Sequence, residues 1–456
     1  GRGRPPTLFL WHRASPRPLV PFGDENPTNA TNPPLAIAGM ALVIVDGAGR
    51  LAELIAVPEP IESGREAGPV DWSSLFTLAG LDITAFTPVE PQYVPVVYAD
   101  ERRAWEGPVP EDPNLTLRVE ASAMAGRPVS FVLSGSWARS ARTASPLPQS
   151  GFTRFVRGAS GLIMPSLMLA AAFLAWGHLR SGRGDRRGAT RAALAFVVIG
   201  VTAWVLGMQP TGSPGDDMQR FFGAIGSALF DGGLIWLTYL GLEPYIRRFS
   251  PDSLIGWTRL LTGRWRDPLV ASDILIGICA GVGMTLLFAV HNLLPPLAGR
   301  PEPMPIAPGN AFVLLGSRFV IASMLSQIGG AVSAGLLAAC GTMAILLVVK
   351  RKPIAHVVAS LVFVWVVIQG MFPEGTPLLD LALGLGMIGI WTAVILYAGL
   401  LSTVVALATH FVLLRAPITM EVTNWRATPG LTCLVIIAGV TLTAAVFARR
   451  PALQRA

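Results

Sequence analysis

Charge is scarce in this sequence: Asp, Glu, Lys and Arg make up 14% of its 456 residues, where soluble domains carry about 25%. With 52% hydrophobic residues and a mean hydropathy of +0.54, that deficit excludes an ordinary water-soluble protein and points to a polytopic membrane protein. Lysine is nearly missing, with only Lys350 and Lys352 among 35 basic residues. The preference for Arg, together with much Ala, Gly and Pro, suggests a GC-rich, bacterial coding sequence. The three cysteines, Cys279, Cys340 and Cys433, lie inside apolar runs, so neither a disulfide framework nor a zinc site is expected. The five histidines are scattered, which argues against an intramembrane metalloprotease with clustered Glu and His ligands. The net charge of +7 builds no basic face with interleaved aromatics, so nucleic acid is not an expected partner.

What is present changes character near residue 158. Before it the chain is polar and proline-rich; after it come apolar runs near the roughly 20 residues a helix needs to cross a bilayer. The candidate spans are 158–179, 192–209, 221–242, 274–294, 319–349, 354–372, 378–414 and 429–448. The fold expected is a membrane all-α helical bundle of about eight spans behind a small N-terminal α+β domain. Two of the runs, 319–349 and 378–414, are overlong and can each join an interfacial or re-entrant piece to a true span. Arg and Lys mark the cytoplasmic side of membrane proteins. The loops at 180–191 and 243–273 and the group Lys350, Arg351 and Lys352 hold thirteen such residues, against Arg220, Arg300 and Arg318 between them. Residues 1–157 are therefore expected outside the cytoplasm, with the bundle in a bacterial inner membrane and its lipids as partners. Eight spans would also put the tail 449–456, with Arg449, Arg450 and Arg455, outside, which signals a miscounted late span. Export needs a signal peptide or an earlier span, and residues 1–30 have no segment of the signal type. The expectation is a longer protein with a span upstream.

In the exported part, 1–139, residues 35–57 read as two strands around Asp46-Gly47-Ala48-Gly49, and 115–133 as a second hairpin around Ala125-Gly126. Asp71 stands where it can cap a short helix over 72–79. Residues 140–157 read as a linker. His12, the only histidine of this domain, reads as a solvated side chain, and no hydrolase or metal motif accompanies it.

Within the bundle, Asp231 sits in the middle of a run, where an ionised carboxylate costs about 2.5–3.5 kcal/mol. It should face the interior, with His291 and Arg318 as possible partners. The readings open for it are helix packing, an ion or proton relay, or signal transmission. His178, His356 and His410 fall near run ends and read as interfacial. Gly277 with Gly281, and Ala331 with Gly335, give small-xxx-small spacings that allow close helix approach and a homodimer. The segment 250–266 (SPDSLIGWTRLLTGRWR) reads as a helix lying on the inner leaflet. Ser250 is its N-cap and Pro251 its first residue; Leu254, Ile255, Trp257, Leu261 and Trp265 form an apolar side, and Arg259, Arg264 and Arg266 meet lipid phosphates.

Several stretches carry a likeness: SPRPLVP at 15–21, FTPVEPQYVPVVYADERRAWEG at 86–107, GRGDRRGA at 182–189, LEPYIRRFSPDSLIGWTRLLTGRWRDPLVASDILIG at 242–277 and PITMEVTNW at 417–425. On these the chain resembles the membrane-embedded C-terminal half of large bacterial serine/threonine protein kinases. The resemblance implies a cytoplasmic kinase domain, a span, an exported domain and a multi-helix membrane region, in that order. It also implies that this part anchors the kinase and acts as a sensor. The kinase motifs themselves are missing: there is no Gly-rich phosphate loop before a strand Lys, no His-Arg-Asp loop and no Asp-Phe-Gly. No catalytic residue or cofactor is assigned to this chain, since ATP and magnesium belong to the implied upstream domain. The alternative is a transporter with a polar site around Asp231.

Overall fold

The computed structural model describes residues 8–22, 28–60, 68–135, 151–182, 184–297, 312–351, 357–362, 377–419 and 421–449, with Pro6, Ile354 and Ala355. The chain divides into two compact units, residues 1–148 with 209–223, and residues 149–208 with 224–456.

The first unit is built on a seven-stranded antiparallel sheet. Its strands are β1 (Phe9–Ala14), β2 (Ala41–Asp46), β3 (Leu51–Ala56), β4 (Thr87–Val89), β5 (Glu101–Val109), β6 (Asp112–Met124) and β7 (Arg127–Gly135). They lie in the order β1-β2-β3-β7-β6-β5-β4. Both expected hairpins are there. In the first, the Asp46 carboxylate accepts the N–H groups of Ala48 (2.8 Å) and Arg50 (3.0 Å) and Nε of Arg50 (2.7 Å). Burial alone would raise the pKa of this carboxyl, but the hydrogen bonds and charge from Arg50, with the Ala48 N–H, outweigh it and hold it below the ordinary value. In the second, Ala125 (φ 48°) and Gly126 (φ 75°) give the two left-handed residues of a tight hairpin turn.

Strand register aligns Val43, Leu54, Phe131 and Ala121 across four strands, and this row faces a core shared with Phe76. Phe76 belongs to α1 (Trp72–Leu78), which starts at Asp71, whose side chain accepts the Ser74 N–H at 3.2 Å. The Phe76 ring meets Phe86, Trp105 and Phe131 edge-on. The next row, including Leu42 and Ile55, faces the other side and a smaller core with Val97 and Val129. Strands β1, β4 and β5 carry no strand signal in the sequence. Their residues break the alternation that marks strands: FLWHRA has none, and β5 begins with Glu101, Arg102 and Arg103 and contains Pro108.

The second unit is helical: α2 (Gly151–Ser181), α3 (Arg186–Gly207), α4 (Pro214–Phe249, entering from the first unit), α5 (Ile255–Leu261), α6 (Pro268–Leu297), α7 (Ser317–Val349), α8 (Pro377–Tyr397), α9 (Gly399–Arg415) and α10 (Ala427–Ala448). Among the described residues, five helices are long and apolar enough to cross a membrane: Arg186–Gly207, Pro214–Phe249, Pro268–Leu294, Ser317–Leu346 and Ala427–Ala448. Leu381–Tyr397 and Gly399–Arg415 are apolar but shorter.

Two sequence boundaries change, and one overlong run stays whole. The run 378–414 is two helices, broken at Ala398–Gly399, where Gly399 has φ +85°. An added Cβ there would lie 2.7 Å from the Ser253 carbonyl oxygen, so both the backbone sign and the space require glycine. The other long run, 319–349, is one continuous helix, α7. Residues 151–157, read as linker, already belong to α2; residues 140–150 of that linker, and 363–372 of the sixth expected span, lie outside the described residues.

Helix direction follows from close contacts. Gly277 and Gly281 of α6 lie against Ser402, Val405, Ala406 and Thr409 of α9, with a Cβ at Gly277 only 2.7 Å from the Ser402 carbonyl oxygen. These two helices therefore run parallel. Gly335 of α7 packs on Val404 in the same way. The small-residue spacings thus serve packing within the chain. α8 runs antiparallel to α6, with Gly386 beside Leu287 and Gly283 beside Ile390. In α9, twelve of the 17 residues are buried, which fits an apolar pattern on every face.

Candidate functional site at the arginine-rich end of the helical unit

Several helix ends meet at one end of the second unit. The Asp185 N–H donates to Oε2 of Glu243 at 3.3 Å, tying the α2–α3 turn to the last turns of α4. Ser253 lies against Gly399 at the α8–α9 break, and Gly256 of α5 packs against Asp273 of α6 and Leu401 of α9. At the end of α10, Phe447 meets the Trp265 ring edge-on at 5.4 Å. Leu346, near the end of α7, shares a buried cluster with Trp257 and Leu401.

This end therefore collects the arginines of the loops 180–191 and 243–273, Lys350 and Arg351 after α7, and Arg449 after α10. Arg318, Arg415 and Arg426 belong to the opposite end, where Arg415 and Pro417 line a small cleft with Val320 and Cys433. Arg415 and Arg426 make the charge bias smaller than the loop count from the sequence, without changing its sign.

Three cations of the basic end stack on aromatic rings. Arg180 lies 4.0 Å from the Trp176 ring centre, Arg266 4.4 Å from that of Trp265, and Arg248 5.7 Å from that of Phe249. Apolar rings beside guanidinium groups at helix ends match the headgroup layer of a bilayer, where the ring meets acyl chains and the cation meets phosphate. Two other arginines are occupied by acids. Arg259 donates through Nη1 to both carboxylate oxygens of Asp267, at 2.8 and 2.9 Å, and Arg247 pairs with the buried Glu243. Glu243 escaped the sequence reading, although its spacing of four residues from Arg247 was a usable signal.

The segment 250–266 is not one surface helix. It forms a 3₁₀ turn, Pro251–Leu254, then the seven-residue α5, then an exposed turn at 262–266. Ser250 precedes Pro251 as expected, but its side chain makes no capping bond. Leu254 and Trp257, each 5% exposed, point into the bundle rather than to lipid. The reason is length: seven residues make only about two turns, and the core reaches both apolar side chains. Arg264, Trp265 and Arg266 stay exposed.

The three polar residues considered together within the membrane part fall in different surroundings. Asp231 is exposed rather than interior. The buried stripe of α4 runs through Ala228, Ile235, Tyr239 and Leu242, and Asp231 falls on its margin. His291 is buried near the end of α6, its ring 6.3 Å from that of Phe288. Arg318 is exposed at the start of α7 and lies over the Phe319 ring at 4.4 Å.

The three histidines expected at the interface also diverge. His178 meets Tyr245 edge-on at 5.0 Å, and His356 lies outside the described residues. His410 is 1% exposed and sits 3.0 Å from the Thr285 hydroxyl through Nδ1, so it is a core residue. The enclosure of α9 on all sides explains this. The Thr285 hydroxyl donates to the Gly281 carbonyl at 2.8 Å, which leaves it to accept from His410 and sets the proton on Nδ1. Among the described residues no group of three or more His, Cys, Asp or Glu is positioned to hold a metal.

No family model, curated protein or solved structure matches this chain.

Proposed function

We propose that this chain is the membrane-anchoring and signal-transmitting region of a bacterial receptor-like serine/threonine protein kinase, with the kinase domain on the cytoplasmic side. The observation that carries the reading is the fold of residues 242–277. This stretch bears the most specific likeness to that kinase group, and it forms the corner where the ends of α4, α5, α6 and α9 lock together through Trp257, Ser253 and Gly399. A shift in the crossing of α4 or α6 would move this corner, and with it anything held there.

In this reading the arginine-rich end faces the cytoplasm and the sheet unit lies on the other side. With 378–414 taken as two crossings and the run 354–372 kept as one, the number of crossings after residue 157 becomes odd. Arg449 then falls on the cytoplasmic side with the other arginines, as charge retention requires. That removes the conflict raised by an even count. A transporter centred on Asp231 is less favoured, because the carboxylate lies on the exposed margin of α4 rather than in an internal path.

The test is a domain exchange in the full-length kinase. Replacing residues 1–135 by an unrelated exported domain is expected to abolish the response of autophosphorylation to growth conditions while leaving membrane insertion intact. Unchanged output under every condition would remove the sensory role and leave anchoring alone.

A further inference from the structure

In the first unit, Arg13 is a buried cation with no acid beside it among the described residues. It stands on the edge strand β1 opposite Leu42, and it is only 6% exposed. Its Nη1 donates to the Asn29 carbonyl at 3.1 Å, while Nε and Nη2 are buried with no hydrogen-bond partner among the described residues. These two atoms carry the parallel N–H pair along one edge of the guanidinium, the geometry that grips two oxygens of a carboxylate or phosphate. A buried charge is normally paired, because an uncompensated one is costly. Burial alone holds this guanidinium below its ordinary pKa.

Arg13 lines an open groove of about 680 Å³ within the same unit, together with Trp11, His12, Arg17, Thr28 and Thr211. Among the described residues no acid lines it. The nearby Asp217 is occupied by the N–H and hydroxyl of Thr211, both at 3.0 Å. The volume suits a small molecule, and the lining offers an exposed cation, Arg17, and an exposed ring, Trp11.

We propose that this groove binds a small organic anion, whose carboxylate or phosphate takes the Nε/Nη2 edge of Arg13 and whose remainder lies along Trp11 and Arg17. The guanidinium turns into the groove on binding, exchanging one bond to the Asn29 carbonyl for two charge-assisted bonds. The same chemistry is offered by a soluble metabolite and by a lipid headgroup. The site would give a sensory role its ligand class, but it does not rest on that role, since the test reads binding alone.

The experiment is calorimetric unfolding of the whole chain in phosphatidylcholine nanodiscs, with citrate or inorganic phosphate against sodium chloride at equal ionic strength. The expected result is a midpoint raised by several degrees by citrate or phosphate beyond chloride, and no such rise in Arg13→Lys or Arg13→Gln. Should the Arg13 variants fail to fold, Arg17→Gln and Trp11→Ala decide, each expected to raise the anion concentration for half-effect at least about fivefold, the scale of one lost charge-assisted or stacking contact. In nanodiscs containing phosphatidylglycerol, an Arg13-dependent rise without added anion identifies a headgroup as the source and supports the site. No rise beyond chloride in either lipid overturns the proposal, as does a rise that persists in Arg13→Gln or, failing that, in both Arg17→Gln and Trp11→Ala.

Discussion

Asp46 organises its hairpin by accepting two backbone N–H groups and the Arg50 side chain from a buried position. Removing it in Asp46→Ala strands those donors and is expected to destabilise the sheet unit by about 2 kcal/mol, the scale of a hydrogen bond to a charged group. Denaturant unfolding followed by tryptophan fluorescence checks this. The same carboxylate makes the unit acid-sensitive. Its pKa is lowered by folding, so its contribution is complete above the unfolded value of about 3.9 and is lost as pH falls through the folded value. Unfolding titrations are therefore expected to show stability falling below about pH 4, with a smaller fall in Asp46→Asn. An equal fall in that variant would assign the acid sensitivity to other groups.

Among the elements, the segment 250–266 holds two tryptophans with opposite fates. Trp257 is 5% exposed inside the bundle, and Trp265 is 47% exposed at its end. Trp257→Ala is expected to cost about 3–5 kcal/mol, the range for emptying a large core side chain. Trp265→Ala should leave bundle stability nearly unchanged and weaken association with anionic lipid. Unfolding in mixed micelles separates the two, and equal costs would restore the picture of a helix lying flat on the membrane. At the α8–α9 break, Gly399→Val is expected to lose at least about 1–2 kcal/mol, because a side chain is disfavoured at that φ and would also meet Ser253. The same assay checks it, with Gly389→Val, which meets nothing within 4 Å, as the comparison.

The bundle in its entirety has a basic end built from helix termini far apart in sequence. Single cysteines introduced at Arg264 and Arg449 are expected to label from the same side of a sealed vesicle, and one at Tyr98 of the sheet unit from the other. Labelling of Tyr98 and Arg264 from one side would remove both the exported domain and the receptor reading. The apolar runs, the two hairpins and the Asp71 cap were legible in the sequence, because each depends on residues within a few positions of one another. The length of the run 378–414 signalled a second piece, but the place of the break at Ala398–Gly399 was not legible, since an unbroken apolar run does not mark where one helix gives way to the next.

Composition and short-range pattern were enough to mark the helices long and apolar enough to cross a membrane and most local strand, helix and turn signals, because hydrophobic period, glycine and capping residues act over one or two turns of chain. Which polar side chains are enclosed came from packing instead. Asp231 was expected inside and lies exposed, and His410 was expected at a surface and lies in the core. Trp257 turned from lipid to bundle, and Arg13, in a strand without alternation, became a buried cation with two donors unused among the described residues. Burial is set by which helix or loop lies opposite, and that partner comes from a distant part of the chain.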